Sequence, residues 1–122
     1  MENENMDQIQ SQFGQVRIAN EVVAIIVGLA LNDIKGIYAA DRRKAKKNLS
    51  KGIEIQVVDN EVICDIELAV LYGVKIPVLA EEIQTKVKNT VENMTGLAVQ
   101  SVNLHILAVR NEKQEEEKDS EI

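Results

Sequence analysis

Few residues in this chain of 122 could do chemistry, and they do not gather. His105 is the only histidine and Cys64 the only cysteine. A thiolate nucleophile needs an electropositive, accessible setting, and a thiol between Val62 and Ile66 beside Asp65 is set to be a small buried hydrophobe instead. His105 has no second histidine to complete a metal-ligand set, so it reads as a surface or interface residue. Asp65 and Glu67 stand two apart on one strand face. Paired carboxylates perform acid–base work when their surroundings split their pKa values, but an exposed strand face is the simpler reading. None of the six glycines forms a phosphate-cradling motif, and the serines lie outside any nucleophile elbow. No enzyme, no cofactor, no metal and no small-molecule substrate is expected.

The polar feature above background is "ADRRKAKKNLSKG". Its Arg42, Arg43, Lys44, Lys46, Lys47 and Lys51 are six of the fourteen bases of a chain whose formal charge is −6. Such a segment can grip an acidic protein surface, an anionic lipid or nucleic acid. It can also be a solvated loop, or meet the acidic tail from Glu112 to Glu121. Nucleic acid is disfavoured as a partner. Single-strand binders interleave bases with stacking aromatics, and only Tyr38 is near; the domain as a whole is not basic.

The elements that must position these residues follow from periodicity. "GQVRIA" alternates as a short strand. Asn20 sits where an N-cap belongs, and the helix from Glu21 to about Ile34 is apolar almost all round, which calls for cover on more than one side. Gly36 is the expected C-terminal cap. The basic stretch reads as a loop, with one helical turn through Arg42–Lys47. Ile53, Ile55 and Val57 mark a strand, Asp59-Asn60 a two-residue turn, and Glu61 to Leu71 the return strand. Val62, Cys64, Ile66, Leu68 and Val70 form its inner face. Pro77 opens a second helix with a stripe of Leu79, Ile83, Val87, Val91 and Met94, and Gly96 ends it. In the last strand Val102, Leu104, Ile106 and Ala108 point in, and Ser101, Asn103, His105, Leu107 and Val109 point out. The order β-α-β-β-α-β predicts an α+β two-layer sandwich with both helices on one face of a small sheet, and by analogy a ferredoxin-like split βαβ topology.

Charge sets the domain limits. Residues 1–13 sum to −3 and residues 111–122 to −4, which leaves 14–110 at +1. Both ends are expected to be disordered, around one domain over 14–110. The start lacks a signal peptide's pattern. The longest apolar run, Val22 to Leu31, is ten residues where a membrane span takes about 20. A cytoplasmic protein is expected, with any membrane association indirect.

"GQVRIANEVVAIIVGLALNDIKGIYAA" resembles the opening block of the bacterial alkaline shock protein family, also described as envelope-stress proteins of Gram-positive bacteria. The matching residues are Gly14, Glu21-Val22-Val23, Asp33 and Gly36-Ile37. The second half is similar through Tyr72-Gly73-Val74, Ile76-Pro77, Val87-Lys88 with Val91, Met94-Thr95-Gly96-Leu97 and Val102-Asn103-Leu104-His105. The resemblance implies a non-enzymatic protein of cell-envelope stress homeostasis. Such a protein would self-associate as a homo-oligomer and dock to a small membrane-anchored partner at the inner face of the cell membrane. Self-association is expected through the greasy helix and outer strand face (Val23, Ile26, Val27, Ile63, Leu71, Leu107), and docking through Arg42 to Lys51. The alternative is a nucleic-acid-binding or lipid-synthesis regulator using the same loop, 42–51.

Overall fold

The computed structural model describes residues 6–38 and 50–111. Strands β1 (Met6–Ser11) and β2 (Gly14–Ala19) lead into helix α1 (Asn20–Leu31); β3 (Ile53–Val58) and β4 (Glu61–Leu71) follow, then helix α2 (Ile76–Thr95) and β5 (Ala98–Arg110). From β2 onward the β-α-β-β-α-β order and the α+β layering are as expected. The first strand's partner is not.

β2 pairs antiparallel with β1, from Met6↔Ala19 to Ser11↔Gly14, in a sheet of two strands separate from the main sheet. Met6–Ser11 is therefore a strand, where composition alone predicted a disordered segment 1–13. The main sheet has three strands in the order β3-β4-β5, so the ferredoxin-like analogy, which needs the first strand inside it, does not hold. β4 and β5 are parallel and joined by α2 as a βαβ crossover. β3 and β4 form the expected hairpin. Asp59 (φ 54°) and Asn60 (φ 65°) both take the left-handed backbone that a two-residue turn between twisted strands requires.

Helix limits follow local chemistry. Ala19, extended at φ −67° and ψ 147°, is the N-cap of α1. Asn20, expected there, lies one residue inside, and its Nδ2 donates to Ile55 O at 3.3 Å. α1 ends at Leu31 with Asn32 as its C-cap, so Gly36 lies beyond it and does not cap it. Gly96 closes α2 at φ 77°, its N–H donating to Glu92 O at 3.0 Å.

The core lies between the helices and one sheet face. Leu31, Ile66, Ile83, Val23, Val27, Val62, Val70, Val87 and Val91 are its largest fully buried side chains, each contributing about 1.5–3 kcal/mol by leaving water. The β4 inner face is buried at every expected position. On α2, Leu79, Ile83, Val87 and Val91 are buried as expected, but Met94 is 66% exposed and Thr95 takes the inward place. Thr95 is satisfied there: its hydroxyl donates to Val91 O at 2.7 Å and accepts from Leu97 N–H at 3.1 Å.

Candidate interaction surface on the open sheet face

Both helices pack on one side of β3-β4-β5, so the outward residues of β4 and β5 are the exposed working surface. Period-two alternation places Ile63, Asp65, Glu67, Ala69 and Leu71 there from β4. Their β5 neighbours in register are Ser101, Asn103, His105, Ala108 and Arg110. The register shifts between Leu68 and Ala69, because Leu107 is an extra residue between the Leu68↔Ile106 and Ala69↔Ala108 pairs. The bulge reverses β5's alternation. Ala108 now pairs with outward Ala69 and Val109 with buried Val70, the opposite of strict alternation.

One polar group of side chains stands on this face. Asp65 Oδ1 accepts from Asn103 Nδ2 at 3.1 Å and lies 3.8 Å from His105 Nε2. A carboxylate–imidazole–amide cluster on a strand surface orders its own members, and the described residues contain no group of three or more His, Cys, Asp or Glu able to hold a metal ion. Cys64 lies on the opposite, buried face. Burial, followed by the Asp65 charge, pushes its thiol up to about 11, so it is a neutral core side chain at neutral pH and no nucleophile.

The self-association candidates divide. Val23 and Val27 are 0% exposed and Ile26 is 9% exposed; all three belong to the chain's own core and offer no surface. α1 instead exposes Val22 and Leu29. The apolar all-round helix is covered on its second side by α2 as well as by β3, which is why so little of it faces water. Leu107 is 66% exposed on the bulge, and Ile63 and Leu71 are half-buried on the open face.

Of the basic residues, Lys51 is exposed, and Arg42, Arg43, Lys44, Lys46 and Lys47 lie outside the described residues, as does the expected helical turn through them. Their attachment points are described. Tyr38 N–H donates to Ala69 O at 2.9 Å, and Ile37 bridges Val70. On the return side Ile53 N–H donates to Ser50 O at 3.0 Å, and Glu67 N–H to Gly52 O at 2.8 Å. Both ends of the segment are thus fastened beside Glu67–Ala69 of β4. A groove of about 250 Å³ lies between them, lined by Tyr38, Lys51, Glu67, Leu107 and Arg110 among others. The Arg110 guanidinium sits 5.7 Å from the Tyr38 ring centroid, a cation–π contact across its rim. Tyr38 and Arg110 carried no spacing signal in the sequence. They meet because β4 pairs with Gly36–Tyr38 on one edge and with β5 on the other. The acidic tail 112–122 lies outside the described residues.

Among the described residues no helix is long and apolar enough to cross a membrane. The model of the alkaline shock protein family, described as having a "cell envelope-related function", matches residues 8–111. The Bacillus subtilis protein YloU is 34% identical over 113 residues, covering 84% of this chain and 94% of YloU. YqhY of the same organism is 31% identical, over 86% of this chain and 84% of YqhY. A Streptococcus pyogenes stress response regulator gls24 homolog is 25% identical over 93% of this chain and 69% of its own length. No solved structure gives a significant match.

Proposed function

This chain belongs to the alkaline shock protein family, and from that premise we propose that it is an envelope-stress interaction protein that works by self-association and by docking to a small membrane-anchored partner. The name of the streptococcal relative, a stress response regulator, supports the stress half of this reading. The observation that carries the docking half is the open face of the sheet. Its opposite face is sealed by two helices, while this one keeps Leu107 66% exposed beside the Tyr38–Arg110 groove. Apolar side chains held at a rigid sheet surface and rimmed by cations suit a partner with an apolar contact and acidic flanks. A buried, protonated Cys64 and a His105 beside Asp65 on an open strand face suit a non-enzymatic role, and the protein would reach the inner face of the cell membrane through its partner.

The test is a pull-down from detergent-solubilised cells with three baits: the native chain, Leu107→Asp, and a chain with Glu at Arg42, Arg43, Lys44, Lys46 and Lys47. The reading expects one small membrane protein on the native bait, lost with Leu107→Asp. It also expects the charge-reversed bait to lose that protein, and native retention to fall as salt rises. Equal recovery on all three baits removes both surfaces from the account. Nuclease-sensitive capture of nucleic acid overturns the adaptor reading.

A further inference from the structure

The main sheet has two outer edges, and they are not equally defended. On β3, the Ile55 carbonyl is taken by Asn20 Nδ2. On β5 the register with β4 settles which backbone groups face outward. Glu67 N–H and Leu71 N–H donate away from β5, to Gly52 O and Gly36 O. Val62, Cys64, Ile66, Leu68 and Val70 are therefore the β4 residues whose backbone groups face β5. In a parallel ladder each bonds to the two residues that flank its partner, and the partner turns its own N–H and C=O away from β4. These partners are Val99, Val102, Leu104, Ile106 and Val109.

The first two are covered by α2. Val99 N–H donates to Glu92 Oε2 at 2.9 Å, and Gln84 Nε2 donates to Val102 O at 3.0 Å. Glu92 and Gln84 lie eight apart on one helix stripe, which continues four residues at a time to Ala80 and Ile76. Neither has a side-chain donor or acceptor. Among the described residues the polar cover therefore stops at Val102. From Leu104 to Val109 the edge reads Leu-His-Ile-Leu-Ala-Val, with no Lys, Arg, Asp, Glu or Pro, the residues by which exposed edges are usually blunted. Ile76, Leu107 and Val109 beside it are 40%, 66% and 53% exposed.

We propose that Leu104–Ile106, at the open half of β5, is where two copies of this chain pair, antiparallel about a two-fold axis through His105, to make one continuous six-stranded sheet. The proposal deepens the self-association part of the function above and rests on it. A second copy is the occupant because the segment is complementary to itself. It carries no formal like charge to repel its mate, and an antiparallel two-fold sets Leu104 against the partner's Ile106 and Ile106 against the partner's Leu104, with donors and acceptors matched. His105 then faces the partner's His105 at the non-hydrogen-bonded site, on the open sheet face. Glu92 and Gln84 end the pairing on one side of Leu104–Ile106 and the Leu107 bulge ends it on the other, which fixes the register.

The experiment uses the full chain in sedimentation over a wide concentration range. The native chain should form a dimer, and Ile106→Pro should weaken it at least about tenfold, because proline removes an outward N–H without touching the β4 ladder. Circular dichroism and a melting curve establish that the variant is folded. His105→Cys, an exposed change that needs no proline, should oxidise to a disulfide-linked dimer, since opposed non-hydrogen-bonded strand positions lie within disulfide reach. Asn89→Cys, on α2, should not, and buried Cys64 does not compete. A native chain that stays monomeric throughout overturns the edge and the self-association reading together. A native dimer that a folded Ile106→Pro leaves unchanged, with no His105→Cys cross-link, overturns the edge alone. Cross-linking at Asn89→Cys equal to that at His105→Cys also overturns the edge.

Discussion

The Cys64 thiol makes the fold's stability a function of alkaline pH. Its side chain is wholly buried, and its pKa stands at about 11 against an ordinary 9.0. The proton is therefore held more tightly in the folded chain than in the unfolded one. Stability is fully present below pH 9, where both states keep the proton, and is lost as pH rises from 9 through 11, because the unfolded thiol ionises first. At about 1.4 kcal/mol per unit, the loss is roughly 1.4 kcal/mol by pH 10 and approaches 3 kcal/mol above pH 11. The perturbation is Cys64→Ala. It imposes a cavity cost that does not depend on pH, and it removes the titrating group. Urea unfolding of both chains between pH 7 and 11 gives two stability curves, in which lysine and tyrosine titrations are common. Their difference should be flat to pH 8.5 and narrow by the amounts above beyond it. Parallel curves to pH 11 would refute the reasoning, by showing that Cys64 is hydrated or that its environment relaxes to accept the thiolate.

The other expectations concern packing and the β5 edge. Ile26→Ala should cost about 2–5 kcal/mol in urea unfolding, as a core truncation, whereas Leu107→Ala on the open face should stay within about 0.5 kcal/mol; the reverse ranking would place the interface on α1. The Glu92 carboxylate accepts from Val99 N–H at 2.9 Å and from Lys88 Nζ at 3.1 Å, and these bonds, Val99 first, hold its pKa below the ordinary carboxylate value. Glu92→Ala should therefore speed hydrogen exchange at the Val99 amide. In the native chain that protection should persist at pH values above the ordinary carboxylate range and fade only as pH falls through Glu92's lowered pKa.

Where side-chain alternation and turn chemistry decide the outcome, the sequence was enough. Val62, Cys64, Ile66, Leu68 and Val70 are inside, Asp59-Asn60 makes the hairpin, and Gly96 ends α2. Each follows from residue type at a local spacing. What could not be read depends on long-range pairing. Gly14–Ala19 alternates equally well as a member of the main sheet or as half of a separate hairpin, and only the preceding Met6–Ser11, polar enough to pass for disorder, decides between them. The Leu107 bulge is similar. Alternation through Leu104, Ile106 and Ala108 looks unbroken in the sequence, and only the β4 register reveals the extra residue.

The candidate surface failed to be legible for a related reason. Hydropathy gives α1 as apolar all round, which is a true statement about composition and a poor guide to exposure. A helix can be apolar on two sides because it has two neighbours inside its own chain. α1 meets α2 and β3, so the residues that looked sticky, Val23, Ile26 and Val27, are used up by folding. Surfaces left for a partner arise where the fold runs out of neighbours, and in a three-stranded sheet that happens at an edge and on a face. Leu107 belongs to both. The bulge that places it 66% exposed lies at the open half of β5 and on the rim of the Tyr38–Arg110 groove. A pairing of copies and a docking partner would therefore read the same few residues, so a substitution at Leu107 should alter both kinds of association, whereas Ile106→Pro should alter only the pairing.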